Sequence, residues 1–433
     1  MKNAITSNKE GTNSRSIIII GALFFIFGFV TWLNSVLIPY LQIACELSTF
    51  ESYFVVFAFY ISYLVMAIPS AWILNKTGFK KGMSLGLLIM ALGAVIFVPA
   101  AFFRAYELFL LGLFIQGTGL ALLQTAANPY ITIIGPLESA AKRISIMGIC
   151  NKVAGALAPI VLGAIALQNI DSIVEGLENM TTIQRIAELD ALSARVITPY
   201  ILMTAVLISL AIMIYYSMLP ELQNEEIDEE EEEKSSPTTG LKTSIFQFPH
   251  LLLGTIAMFL YIGVEVIAGD TVISYGLEQG IPAVNAKFFT TYTLIAMIIG
   301  YVVGIVTIPK YMSQERALKF SGILGIILGL AAIYTDGFLS VLFISLLGLA
   351  NALVFPAIWP LSLAGLGKFT KIGSSFLIMA IAGGAILPLV YGWFADIVNP
   401  QQAYWIVIPC YIFILFFATK GYKIRKEIKT DRI

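Results

Sequence analysis

The chain has 433 residues, of which 58% are hydrophobic and 12% charged, where a soluble domain carries about 25% charged residues; this excludes a soluble fold. Its 26 basic and 27 acidic side chains leave a formal charge of −1, with no basic footprint for nucleic acid. Cys45, Cys150 and Cys410 are widely separated and His250 is the sole histidine, so no disulfide framework, no metal site and no cofactor are expected.

Twelve apolar windows of roughly 20 residues are long enough to cross the ~30 Å hydrocarbon core as helices. They cover 17–41, 52–74, 82–102, 106–133, 144–168, 196–219, 248–276, 284–308, 318–335, 338–363, 373–395 and 402–420. The first lacks a small-residue cleavage site and is expected to stay in the mature chain. The windows predict a tail 1–16, a six-helix bundle 17–219, a linker 220–247, a second bundle 248–420 and a basic tail 421–433. With the N-terminus in the cytoplasm, 21 of the 26 lysines and arginines fall on the cytoplasmic side, and the positive-inside rule then puts both termini there.

Between spans 2 and 3 stands Ala71-Trp72-Ile73-Leu74-Asn75-Lys76-Thr77-Gly78-Phe79-Lys80-Lys81. It resembles the cytoplasmic signature of the major facilitator superfamily, which has Gly and Asp where this chain has Ala71 and Asn75. Asn75, Lys76, Gly78 and Lys80 are the expected gating residues. The connection 169–195 carries apolar residues at helical spacing (Ile173, Leu177, Ile183, Ile186) and reads as a short surface helix. The acidic run at 225–233 reads as a solvated linker. Gly365-Leu366-Gly367-Lys368-Phe369-Thr370 has Ser362 where a phosphate loop needs its first glycine, so it reads as a basic turn.

The linker separates two copies. At an offset of 229 residues, Ala154-Gly155-Ala156-Leu157-Ala158-Pro159 reads against Gly383-Gly384-Ala385-Ile386-Leu387-Pro388, and Lys142 and Ser145 meet Lys371 and Ser374. Spans 5 and 11 therefore correspond. Six crossings preserve direction, so the expected class is an all-α integral membrane protein, with twelve transmembrane helices in two parallel six-helix repeats. That is the major facilitator arrangement, with substrate near the midplane between the halves.

Polar side chains in membrane helices tend to face the bundle interior or a water-filled cavity. The candidates are Trp32 and Asn34 in span 1, Gln124 and Asn128 in span 4, Asn151 and Lys152 in span 5, Glu265 and Asp270 in span 7, and Asn351 and Trp359 in span 10. Amides and carboxylates suit the hydroxyls of a sugar and an indole its C–H face. Trp32, Asn34, Gln124, Asn128, Asn151, Asn351 and Trp359 are thus the expected substrate contacts, with Trp32 or Trp359 as the aromatic platform. The basic Lys152 lies about 12 Å into span 5 at 1.5 Å per residue. Either its stem snorkels back to the cytoplasmic surface or the ammonium stays buried and needs an anion, for which Glu265 and Asp270 are those available. Glu265 lies nearer the opposite membrane face by depth, which leaves room for a bridging water or ion.

Phe27-Gly28-Phe29, Leu33-Asn34, Leu37-Ile38-Pro39, Leu123-Gln124-Thr125-Ala126-Ala127-Asn128-Pro129-Tyr130, Tyr261-Ile262-Gly263-Val264-Glu265 and the stretch from Gly365 to Ala385 resemble the fucose/proton symporter family of the major facilitator superfamily. Gln124 and Glu265 match its bacterial glucose/galactose branch. The resemblance implies a monosaccharide substrate, a coupling cation (proton or sodium), a monomer in the lipid bilayer of a bacterial inner membrane, and no enzymatic activity. Import of a hexose or amino-hexose by alternating access is the expectation, with a uniporter, an exporter or a non-translocating sugar sensor as alternatives. Two departures stand out: the family's span-1 acid is Ser35 here, and its span-5 Asn-Ser is Asn151-Lys152. Lys152, Glu265 and Asp270 are therefore the expected ion-coupling residues in place of the missing acid.

Overall fold

The computed structural model describes residues 2–133, 140–177, 179–217, 219, 244–308, 310–366 and 369–424; the side chains of 2–16, 71, 75, 128–133, 140–145, 370, 371 and 374 are not described. The 225–233 run lies outside these residues. Among the described residues all regular structure is helical, as a lipid-embedded backbone without a closed barrel requires. Twelve helical spans are long and apolar enough to cross a membrane: Ile17–Ala44, Thr49–Ser70, Lys76–Phe102, Tyr106–Ala127, Ile146–Ala166, Thr182–Tyr216, Pro249–Asp270, Ala283–Thr307, Gln314–Tyr334, Gly337–Leu363, Ser375–Ile397 and Pro400–Lys423. An even number of crossings puts both chain ends on one face of the bundle, here the terminal face. The opposite, distal face carries the connections after the odd-numbered spans.

Glycine sets the closest helix contacts. Gly28 of span 1 lies against the backbone of Asn151 in span 5, and Gly383 of span 11 lies in the same way against the backbone of Phe259 in span 7. A Cβ at either place would run into a carbonyl. Spans 1 and 5 thus pack closely, as do their counterparts 7 and 11, with the glycine on span 1 in one half and on span 11 in the other. Spans 3 and 4 meet through reciprocal pairs, Gly86 with Gly119 and Gly93 with Gly112, the small-residue packing expected where lipid provides no hydrophobic drive.

Several spans are interrupted. Span 1 breaks at Leu33, between helices Lys2–Trp32 and Asn34–Ala44, and span 10 breaks after Asn351. The helix of span 7 stops at Thr271 and resumes over Val272–Glu278. Gly78, at φ 76°, makes the kink between spans 2 and 3. The connection after span 5, read from sequence as one short helix, forms two, Ile170–Leu177 and Thr182–Ala194. The second starts at a reciprocal capping box between Thr181 and Gln184.

At the distal face the halves are drawn together. The Thr49 and Phe50 amides, at the start of the short helix Thr49–Ser52 that opens span 2, donate to the Asp396 carboxylate of span 11 at 3.1 and 2.8 Å. The Ala283 amide, starting the helix Ala283–Ala286 that opens span 8, donates to Asp171 beyond span 5 at 3.1 Å. Spans 2 and 8, like 5 and 11, are equivalents, so one latch is the pseudo-symmetric copy of the other. Tyr53 and Tyr391 meet edge-on at 5.5 Å in the same seam.

Candidate substrate and ion site

The seam between the halves continues inward to the charged residues. Thr291 of span 8 donates to the Ala156 carbonyl of span 5 at 2.7 Å. One turn before Ala156, Lys152 extends across the seam and places its Nζ 2.6 Å from Glu265 Oε1 of span 7. Both side chains are 11% exposed. The contact is direct, where depth counting left room for a bridging water or ion. The depths were counted along straight helices, whereas the four-carbon lysine stem spans the difference itself.

Trp32 covers this pair. Its ring centre is 4.9 Å from the Lys152 ammonium, a cation–π distance. The indole is wedged where Gly155 of span 5 and Gly269 of span 7 have no Cβ. At 2% exposure it is a packed wedge between the halves in this conformation and offers no open sugar platform.

Around Glu265 the environment is phenolic: Tyr261, one turn earlier, interacts with its carboxylate, and Tyr301 and Tyr411 lie within its electrostatic reach. Tyr411 donates to Asn351 Oδ1 at 2.8 Å, leaving the Asn351 amide nitrogen without a partner among the described residues. Trp359 is half-buried and stacks on Phe355 at 5.5 Å, and Phe355 lies 6.4 Å from Tyr261. In the other half, Gln124 donates to Tyr63 at 3.1 Å, and Tyr63 stacks with Tyr60. Asn151 donates to the Phe24 carbonyl of span 1 at 3.3 Å. Asn34 is buried with neither amide atom hydrogen-bonded among the described residues.

Asp270 stands at the interruption of span 7, fully buried. The side chains of Asn128 and Asn75 lie outside the described set. In the turn after span 2, Lys76 lies 3.8 Å from the Trp72 ring centre, and Lys80 is half-buried near Gly78.

The structure thus joins Trp32, Lys152 and Glu265 directly. Asn351 and Trp359 are linked to tyrosines facing Glu265, and Gln124 to a tyrosine of its own half. Sequence reasoning missed the tyrosines, Tyr60, Tyr63, Tyr301 and Tyr411. The spacing of Tyr60 and Tyr63, three residues apart on one helix face, was a readable signal. The Asn351–Tyr411 bond, across sixty residues, had none.

The family model described as Major Facilitator Superfamily matches residues 20–372. The chain belongs to this superfamily. Among similar proteins, the glucose/galactose transporter of Brucella abortus is 33% identical over 93% of this chain and 92% of its own length. The L-fucose-proton symporter of Escherichia coli is 31% identical over 95% of each. The crystal structure of the E. coli fucose:proton symporter superposes with TM-score 0.69 at 28% identity, covering 96% of this chain and all of that one. A D-xylose-proton symporter shares the fold alone, with TM-score 0.70 at 16% identity over 95% of this chain and 99% of that one.

Proposed function

We infer that the chain is a secondary active sugar transporter, importing a hexose or amino-hexose together with a proton by alternating access; it is a transporter and not an enzyme. The observation that carries this reading is a buried ion pair joining the two halves, in a chain similar end to end to proteins named as sugar transporters. Buried charges within membrane helices mark ion pathways, and an uncoupled uniporter has no use for them. Proton is favoured over sodium because the relatives named for a coupling ion are proton symporters.

In this reading the bundles 17–219 and 248–420 rock about a site formed by amides and tyrosines of both halves, which makes a single chain a complete unit in the bilayer. Making and breaking Lys152–Glu265 accompanies the rocking and stands in for the absent span-1 acid. The terminal face, with both tails, the 225–233 linker and the turn bearing Asn75, Lys76, Gly78 and Lys80, is cytoplasmic in a bacterial inner membrane. Gln124, Asn128, Asn151, Asn34 and Asn351 serve the sugar hydroxyls, and Trp359 with Phe355 the sugar's apolar face.

The test is counterflow in proteoliposomes with labelled glucose, galactose, L-fucose and glucosamine, repeated under proton and sodium gradients imposed separately. Exchange of at least one sugar and its accumulation under a proton gradient are expected. Absence of exchange with every sugar overturns the sugar reading, and accumulation driven by sodium alone overturns proton coupling.

A further inference from the structure

At the interruption of span 7, backbone carbonyls that lipid cannot satisfy accept from threonine hydroxyls. Thr271 donates to the Ile267 carbonyl at 2.7 Å, Thr293 to Ala268 at 3.3 Å and Thr290 to Gly269 at 2.7 Å. The one ionisable group left open at the break is the Asp270 side chain, neither of whose oxygens has a hydrogen-bond partner among the described residues; the Ser274 hydroxyl on the resumed helix and the Asn34 amide of span 1 are buried without a partner as well. Five residues earlier on the same helix, about 7.5 Å along its axis, Glu265 holds Lys152. The charged groups whose fields reach Asp270 are Glu265 and Lys152, and its own field reaches Tyr53 and Tyr60 of span 2.

Two carboxyls and one ammonium leave one negative charge over. An unpaired carboxylate in such a place is costly, and a proton on Asp270 removes the charge. Span 1 bears on the same region: Trp32 packs on Gly269, and the half-helix Asn34–Ala44 packs against both halves of span 7. Ser35, at the position of the family's acid, donates to the Trp32 carbonyl at 2.8 Å and offers no carboxyl.

Resting on the symport reading above, we propose that Asp270 is the residue that carries the coupled proton, and that its protonation decides whether Lys152 belongs wholly to Glu265. With the proton bound, Lys152 and Glu265 balance each other and Asp270 is neutral. On release the Asp270 O–H bond breaks and the proton passes to water at the opened face. The carboxylate left behind competes with Glu265 for the ammonium, loosening the one buried ion pair found between the halves among the described residues. Rebinding of a proton restores it.

The experiment uses the full chain in proteoliposomes, with the sugar that the wild type exchanges and a pH indicator outside. Asp270→Asn is expected to lower sugar-induced proton uptake to that of protein-free vesicles, abolish gradient-driven accumulation, and leave an exchange that no longer responds to pH. Asp270→Glu, which keeps a carboxyl, is expected to retain proton uptake. Wild-type proton uptake and pH response in Asp270→Asn would overturn the proposal. Should that variant fail to reach the membrane, infrared spectra of wild type with and without isotope-labelled aspartate decide the matter. A protonated aspartic acid at neutral pH supports the assignment, and its absence overturns it. Wild-type vesicles that exchange sugar without proton uptake would overturn the symport reading itself, a result distinguishable from a variant that behaves like wild type.

Discussion

Lys152 is held by Glu265 at its tip, by the Trp32 face at its side, and by the absence of a Cβ at Gly155, which admits that indole. Removing one member of a buried ion pair strands the other, at a cost of about 3–5 kcal/mol. Lys152→Ala is therefore expected to lower the unfolding temperature in detergent and to abolish gradient-driven sugar accumulation. Adding Glu265→Gln removes the stranded charge, so the double variant should unfold at a higher temperature and exchange sugar faster than Lys152→Ala alone. Accumulation by Lys152→Ala at the wild-type level would place coupling at another residue. These charges were legible in the sequence because a lysine and two acids stand out in apolar windows. The wedge role of Trp32 was not, since it depends on two glycines 114 residues apart in the chain, Gly155 and Gly269, that only the folded halves bring to the same ring.

At the scale of elements, the distal face is closed by two carboxylates, each set against the first amides of a short helix in the other half. Capping contacts at a helix N-terminus are worth about 0.5–2 kcal/mol, enough to bias an equilibrium between two faces several-fold. Asp396→Asn weakens one latch, and spin labels on Leu47 and Val398 should then report a larger share of long separations. An unchanged distance distribution would mean that the aromatic seam alone holds this face shut. A pH dependence follows from Glu278, whose carboxyl is raised above its ordinary value by partial desolvation and by the neighbouring Asp396, although the residue is exposed. The closed form, which holds the two carboxyls near each other, binds this proton more readily than a form in which they are apart. Closure is therefore favoured as pH falls to the ordinary glutamate range and weakens as pH rises through the elevated value. The same labels should show a closed fraction that grows on acidification, and Glu278→Gln should flatten that response. The twelve spans were readable from apolar length alone. The interruptions at Leu33, Thr271 and Asn351 were not, because none falls on proline or glycine, and those at Thr271 and Asn351 engage partners distant in the chain, Thr290 and Thr293 for span 7 and Tyr411 for Asn351.

For the whole molecule, the internal repeat was legible because glycines mark places where helices touch, and Gly155 and Gly384, which correspond at the 229-residue offset, both do so: Gly155 against Trp32 of span 1 and Gly384 against Val266 of span 7. What a repeat cannot reveal is the conformation adopted, because closing the distal or the terminal face uses the same two bundles in different tilts. Here the distal face is closed by contacts at its rim, Asp396 with Thr49 and Phe50 and Asp171 with Ala283, while Lys152–Glu265 lies deeper along the seam. Alternating access requires this rim to part in each cycle. With Cys45, Cys150 and Cys410 replaced by serine, cysteines at Thr49 and Ile397 flank the Asp396 latch without removing its carboxylate. A short, thiol-cleavable cross-linker between them should stop both counterflow and gradient-driven accumulation, and reducing agent should restore both. The cross-linked protein should still bind sugar from the terminal face, because the tie leaves that face free to open. Full transport with the rim tied would show that the halves need not separate there, and the distal latches would then be static struts instead of a gate.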